Sequence, residues 1–533
     1  MTGGGPGKRA SVCVKGGSRT DTQADNGSNE PDVRTELRRG GPCFFAYLDT
    51  SSIQVLTLHF LSCYDGLAGQ LPHSGIGERG RMGMKFCCAC ESFTPSEPIF
   101  MHGFGAREHP SIGVHDPLYV KAAMLEANKA LLILTIDALG SDRSFTFGIK
   151  ETLRERFGLG HDEVLINFSH THHSVFLTGP DDKQRRGGYS VGQTKWTEYE
   201  SELDYSADEA LYVSVRETIV RLTDYCRSHL MPGELSVGRT KSDFAVSRRK
   251  PNGSGGVEWS PYYEGEIDKD LFVLKLTDSS GVVKGILYNY GCHTTAMGPD
   301  NLLLSNDFAG RTSAVLENAY PGASALFLQG CGGELKPMRS AEGNRFRSLS
   351  IAEMEAAGDD LAREVIAVLE HGAFEPVRCS FRSAMADPLL YTEQTGAELY
   401  EQLAEKHAAN RFYRNAALRT MRAIRDGTVL DRLPHTICLW HLDETTSIVA
   451  MEGEVSTDYS RMFKRLLKQK TVLTLGYTNG VYCYVPTRNM IREGGYEAEC
   501  NFFFNLRGPF VPEIEDIIVG QIVRLEQRLC EEE

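Results

Sequence analysis

The 533-residue sequence predicts an α/β fold, with mixed β-sheets covered by helices in a single large catalytic domain. Two observations carry that expectation. Apolar runs of strand length, such as Ala130 to Asp137 (A-L-L-I-L-T-I-D), alternate along the chain with stretches whose apolar residues recur at helical spacing. Neither pattern fills a long segment by itself, which argues against an all-β or helical-bundle architecture.

From about residue 84 the elements follow in order. After the strand at Ala130 comes a helix over Ser141 to Phe157, opened by a Ser/Asp start, and then a strand over Val164 to Phe168. Leu211, Val215, Ile219 and Leu222 share one helical face, so residues from about 197 to 226 read as a long amphipathic helix. Strands are expected at about 234–248, 270–277 and 283–291, and a helix at about 308–319 leads into a strand at Ala325 to Gln329. Helices recur near 350–371, 395–426 and 457–469, with strands near 375–384, 437–450 and 471–476 between them. Behind Pro512, Ile514, Ile518, Ile522, Leu525 and Leu529 form the stripe of a closing helix. No internal repeat is present.

Composition narrows the classes. With 41% hydrophobic residues the chain can build a core, so wholesale disorder is excluded. The longest apolar stretches fall far short of the roughly 20 residues that span a bilayer, so no transmembrane segment is expected. A net charge of −14 repels phosphates, and no basic stripe offsets it, so no nucleic acid partner is expected. The 14 cysteines lack the spacing of a secreted framework and no charged-then-apolar signal opens the chain, which predicts a reducing, cytoplasmic location. Cys87, Cys88 and Cys90 cluster in a strand-like run without a second Cys/His pair at finger spacing, a weak metal signal. The first forty residues hold eight glycines and no apolar period; residues 1–81 are therefore expected to be a disordered or dispensable leader to a domain over 82–533.

Three stretches carry chemistry. Ser169-His170-Thr171-His172-His173-Ser174 directly follows the strand Val164 to Phe168. On an extended segment residues i and i+2 share a face, so His170 and His172 converge on one ion or substrate while His173 points away. A loop of hydrogen-bonded histidines is the plainer alternative. His293 lies just past the strand at 283–291, with the same strand-end placement, where ligands of α/β sheets usually collect. Glu452-Gly453-Glu454 ends a third strand before Ser456-Thr457 opens a helix; either carboxylate can complete a nitrogen–oxygen zinc sphere or cap that helix. Gly103-Phe104-Gly105 lacks the third glycine of a dinucleotide loop. Gly330-Cys331-Gly332-Gly333-Glu334 can form a tight turn but has no Lys-Ser/Thr partner for phosphates, and its cysteine reads as a small residue in that turn.

Together these stretches resemble the neutral/alkaline (non-lysosomal) ceramidase family in its N-terminal catalytic domain. The likeness runs from about Met84 through Ser92-Phe93-Thr94-Pro95, Gly113-Val114-His115-Asp116-Pro117-Leu118-Tyr119 and Thr135-Ile136-Asp137. His170-Thr171-His172 is similar to the family's His-Thr-His signature. His293-Thr294-Thr295-Ala296-Met297 with Ser305-Asn306-Asp307 resembles its second histidine motif, and Gly453-Glu454 its Pro-Gly-Glu-Phe-Thr segment. Tyr482-Cys483-Tyr484, twelve residues ahead of Tyr496-Glu497-Ala498, resembles its tyrosine motif. The resemblance implies Zn2+ held by His170, His293, Glu454 and Tyr484, with His172 as the proton-transfer group and Tyr496 as an oxyanion donor. It further implies a metal-activated water attacking an amide carbonyl in a small-molecule or lipid-like substrate.

Two departures qualify the likeness. Gly333-Glu334-Leu335-Lys336-Pro337 stands where the family carries Gly-Asp-Val-Ser-Pro, so Lys336 takes the place of an active-site serine. The family's C-terminal immunoglobulin-like domain has no counterpart in the 37 residues after Tyr496. The ligands serve an ester, lactone or phosphoester as well as an amide, and the lysine favours a non-catalytic binding protein that kept the fold. For the leader, a chain beginning at Met82 is expected to keep the melting temperature of the full chain in a thermal scan; a drop of several degrees would show that residues 1–81 dock onto the core.

Overall fold

The computed structural model describes residues 83–105, 107, 109–178 and 206–531. The expected leader over 1–81 and residues 197–205, where the amphipathic helix was expected to begin, lie outside the described residues. Mixed sheets covered by helices are what the chain forms. A nine-stranded sheet contains, in spatial order, Ser324–Gln329, Val283–Tyr290, Asp270–Asp278, Met231–Lys241, Lys85–Ser92, Tyr119–Glu126, Ala130–Ile136 and Val164–Phe168, with Glu375–Pro376 added beside Met231–Lys241. The two outermost pairs are parallel and the pairings between them antiparallel.

Alternation along these strands builds two cores at once. Leu131 and Ile133 face one side of the sheet and Leu132 and Leu134 the other; Phe272 and Leu274 likewise oppose Leu271 and Val273. The first side packs on a second sheet, ordered Arg382–Ala386, Ile437–His441, Thr446–Met451 and Thr471–Leu475, through Cys438, Trp440, Ile448, Ala450 and Leu473. The far side is covered by helices, Arg143–Phe157 and Ser206–Ser228 over one half and Asp307–Ala319 and Ile351–His371 over the other. The closing helix Ile514–Glu531 buries the five residues of its predicted stripe. No helix among the described residues is long and apolar enough to cross a membrane.

Several predicted elements divide, each at a side chain that competes for the backbone. The run 437–450 is a hairpin, because Asp443 Oδ1 accepts from the amides of Thr445 and Thr446 at 2.8 Å and turns the chain. The run 395–426 is two helices, Ala397–Lys406 and Arg411–Arg425, the second capped by Asn410. The stretch 234–248 breaks where Ser242 Oγ accepts from the Phe244 amide, and 375–384 breaks around Cys379, whose φ is +54°. Consecutive members of Cys87 and Cys88 point to opposite faces of Lys85–Ser92, with Cys87 in the core beside Cys226.

The sheet's two edges meet at their carboxyl ends. Asn167 Oδ1 accepts from the Gln329 amide at 2.8 Å, and Asn167 Nδ2 donates to the Gln329 carbonyl at 3.2 Å. Removing a methylene-rich side chain from the closing helix should leave a void that the packed core closes only in part. Ile522→Ala is expected to cost about 2–5 kcal/mol, against less than ~0.5 kcal/mol for the exposed Arg524→Ala, both read from denaturant midpoints.

Candidate metal centre

Four strand ends converge on one point. Val164–Phe168 delivers His170, Val283–Tyr290 delivers His293, Thr446–Met451 delivers Glu454, and Thr471–Leu475 leads to Tyr477. The strand-end placement expected for His170 and His293 is observed, but the convergence of His170 and His172 has a different cause from i, i+2 alternation. The strand stops at Phe168 and His170 takes a left-handed backbone, φ +61°, so a turn rather than an extended segment brings His172 back beside it. His173 points away, to Arg107 at 2.7 Å and towards Asp307.

Each inner histidine is locked by a backbone carbonyl. His170 Nδ1 donates to the Leu139 carbonyl at 2.7 Å and His293 Nδ1 to the Gly332 carbonyl at 2.9 Å, which leaves both Nε2 atoms carrying lone pairs. Glu454 Oε2 lies 3.2 Å from His170 Nε2 and 2.9 Å from His293 Nε2. The Tyr484 hydroxyl is 3.4 Å from His293 Nε2, and His172 Nε2 is 3.3 Å from His170 Nε2. The metal-capable atoms of His170, His172 and His293 all lie within 4.8 Å of one another. All these side chains except Tyr496 are enclosed. Tyr496 stands beside them, its ring 5.4 Å from Tyr484 and 5.5 Å from Trp259.

Electrostatics favour a cation here. Burial holds His293 down to about 4 against the opposing Glu454 carboxylate, and holds His172 well below the usual imidazole range, where the His170 and His293 imidazoles add to it. Burial and Glu454 push the Tyr484 phenol well above its own, with Arg248 opposing them. Glu454 Oε2 has no hydrogen-bond donor. A buried carboxylate oxygen set against two lone-pair nitrogens is a costly arrangement that a metal ion relieves.

Several supporting residues were not legible in the sequence. Gln329 Nε2 donates to the carbonyls of Ser169, at 3.1 Å, and Cys292, at 2.7 Å, tying together the residues just before His170 and His293. Tyr477 lays its ring 4.5 Å from that of His170. Arg248 donates to Glu497 at 2.7 Å and to the Gly333 carbonyl at 2.9 Å beneath Tyr484. The Gly330–Glu334 turn serves the site as scaffold: Gly332 holds His293, a Cβ at Gly333 would meet the Glu454 carbonyl at 2.6 Å, and burial pushes the Cys331 thiol up. The two glutamates of the third stretch separate cleanly. Glu452 pairs with Arg143 at 2.5 Å and accepts from the Thr436 amide, while the helix Thr457–Leu466 is capped by Ser456 and by Glu334. Arg107 donates to the carbonyl of His172, and only a glycine fits at 103 against that imidazole.

Residues 94–330 match the family model described as neutral/alkaline non-lysosomal ceramidase, N-terminal. Over that stretch the chain is similar to this family. Neutral ceramidase of Oryza sativa is 25% identical over 230 residues, which are 42% of this chain and 27% of that protein. Neutral ceramidase A of Dictyostelium discoideum is 24% identical over 239 residues, 44% of this chain and 31% of that one. The chain thus matches less than a third of the length of these relatives. Its fold is similar to that of the neutral ceramidase from Pseudomonas aeruginosa, with a TM-score of 0.63 at 16% identity over 83% of this chain and 74% of the other. Glu454, Tyr484 and Tyr496 lie outside the matched 94–330; the structure sets Glu454 and Tyr484 against His293 and Tyr496 against Tyr484.

Gly103, at φ +103°, leaves no room for a side chain: a Cβ there would sit 2.4 Å from His172 Nδ1. Gly103→Ala is therefore expected to displace His172 and change its environment, seen as a shifted His172 ring resonance in NMR, without loss of the far-UV circular dichroism spectrum. An unmoved resonance would contradict the contact.

Proposed function

We propose that the chain is a zinc-dependent hydrolase of the ceramidase-like kind, cleaving an amide (N-acyl) bond in a small-molecule or lipid-like substrate. The observation that carries this reading is the donorless Glu454 oxygen facing two imidazole nitrogens whose opposite nitrogens are committed to carbonyls. Two imidazoles, a carboxylate and a phenol make a borderline donor set that suits zinc, with His170, His293, Glu454 and Tyr484 as its holders. Zn2+ held there lowers the pKa of a water toward neutrality and polarises a carbonyl.

The chain's own residues then divide the remaining work. His172, beside His170 and kept in place by Arg107, would take a proton from the attacking water and return it to the leaving amine. Tyr496 offers a phenol donor to the developing oxyanion. Arg248, paired with Glu497, orients Tyr484 from beneath. Ceramide is one compound of the substrate class rather than its assumed member, because Lys336 stands at the family's serine. That same lysine favours a second reading, a binding protein that kept the fold.

Elemental analysis of protein purified without chelator tests the reading. About one zinc per chain is expected, lost in His170→Ala and Glu454→Ala but retained in His172→Ala, whose turnover of an N-acyl amide falls by about 10²–10⁴. Full metal in His170→Ala would sink the ligand set. Metal with no turnover of amides or esters would leave the binding-protein reading.

A further inference from the structure

Beside His293 lies a cation that no carboxylate pairs with among the described residues. Lys336 sits at the centre of the short strand Leu335–Pro337, which pairs with Ala245–Pro251 and whose Leu335 carbonyl accepts from the His293 amide at 3.1 Å. Leu335 and Pro337 turn into the core, so Lys336 points the other way. Its Nζ donates to Thr295 Oγ1 at 3.0 Å and approaches the Thr295 carbonyl at 3.4 Å, two residues beyond His293. The Phe346 ring flanks it at 5.7 Å. Among the described residues no carboxylate pairs with it. Asp307, whose charge reaches it, is spent on the amides of Ala296, Met297 and Phe308.

The other charges nearby make the imbalance larger. Arg248 is a second cation within reach of Lys336, and its own counter-charge is Glu497. A divalent metal on neutral imidazoles with one glutamate would add further positive charge. Thr295, which holds the ammonium, lies two residues beyond His293, and the residue before Lys336 bonds the His293 amide, so the ammonium is anchored beside that histidine. Thr295 supplies two acceptors to a group with three donors, so one donor is available to an anionic ligand.

We propose that Lys336 is a specificity-determining residue that binds a carboxylate carried on the amine half of the substrate, making the substrate class N-acyl amino acids. This rests on the amidase reading above and names which amide that site prefers. An ammonium is a compact point charge whose donors rotate to meet a carboxylate, and pairing it with one on binding turns an isolated, partly buried cation into a satisfied pair. A neutral amide leaves the cation as it was. The small hydroxyl that the family carries at this place has no charge to offer, so the lysine changes which substrates are favoured while the metal ligands stay the same.

The test compares N-lauroylglycine with N-lauroyl-glycinamide, which differ only in that carboxylate, using metal-loaded full-length protein and the variants Lys336→Met and Lys336→Gln. Wild type is expected to favour the carboxylate by about 100-fold in kcat/KM, mostly through KM, and both variants to collapse that ratio to within a few-fold. A wild-type ratio near one, or a preference that survives in both variants, overturns the proposal. Zinc content is measured on every sample, so a preference lost together with the metal is counted against it. Should neither compound be hydrolysed, the amidase reading fails by itself, and calorimetry then judges the subsite. Binding of N-lauroylglycine weakened tenfold or more in both variants, with the amide analogue unaffected, supports the carboxylate site; equal binding by all three proteins overturns it.

Discussion

The constraint on which the site depends is the enclosure of one carboxylate oxygen of Glu454 against two lone-pair nitrogens. Neither histidine can turn its proton inward, since His170 and His293 each spend Nδ1–H on a backbone carbonyl. A protein interior tolerates such a cluster of electron-rich atoms when a cation sits among them. Everything nearby follows from holding these atoms at fixed separations: the left-handed turn at His170, the glycine turn that offers its carbonyl to His293, and the parallel pairing that sets Glu454 opposite Tyr484.

Those separations are set by the way the large sheet folds back on itself. Its edge strands lie far apart in sheet order, yet Asn167 and Gln329 join their carboxyl ends, and Gln329 then reaches the carbonyls ahead of both histidines. The second sheet enters the same seam, where Asn167 bridges to Thr478 and Gly330 to Leu475. Two polar side chains, fully buried and fully bonded, thus convert sheet topology into ligand geometry. Buried amides of this kind specify one arrangement, because any other leaves them unpaired.

The legible parts of the fold were those with strong local signals. The stripe of the closing helix and the apolar run at Ala130 are periodic over enough residues that packing only confirms them. The hairpin at Asp443 and the helix break at Asn410 were missed because a side chain that captures backbone amides, two at Asp443 and one at Asn410, locally outweighs hydrophobic pattern. At the site, His170, His172, His293 and Glu454 stood out because unusual residues followed strand patterns. Gln329, Arg248, Glu497 and Tyr477 did not, since nothing in their neighbours marks a buried amide or a buried ion pair.

The sequence by itself determined the class of fold, the order of its elements and the residue types gathered at the strand ends, because period and residue chemistry are local properties. Only the tertiary structure decided that Glu452 pairs with Arg143, that Glu334 caps a helix, and that Lys336 lies without a carboxylate partner among the described residues. Each of those outcomes turns on what stands opposite a side chain, across separations of 41 to 309 residues in sequence. Burial then fixes its worth, since a charge costs little in water and must be answered by a partner once it is enclosed.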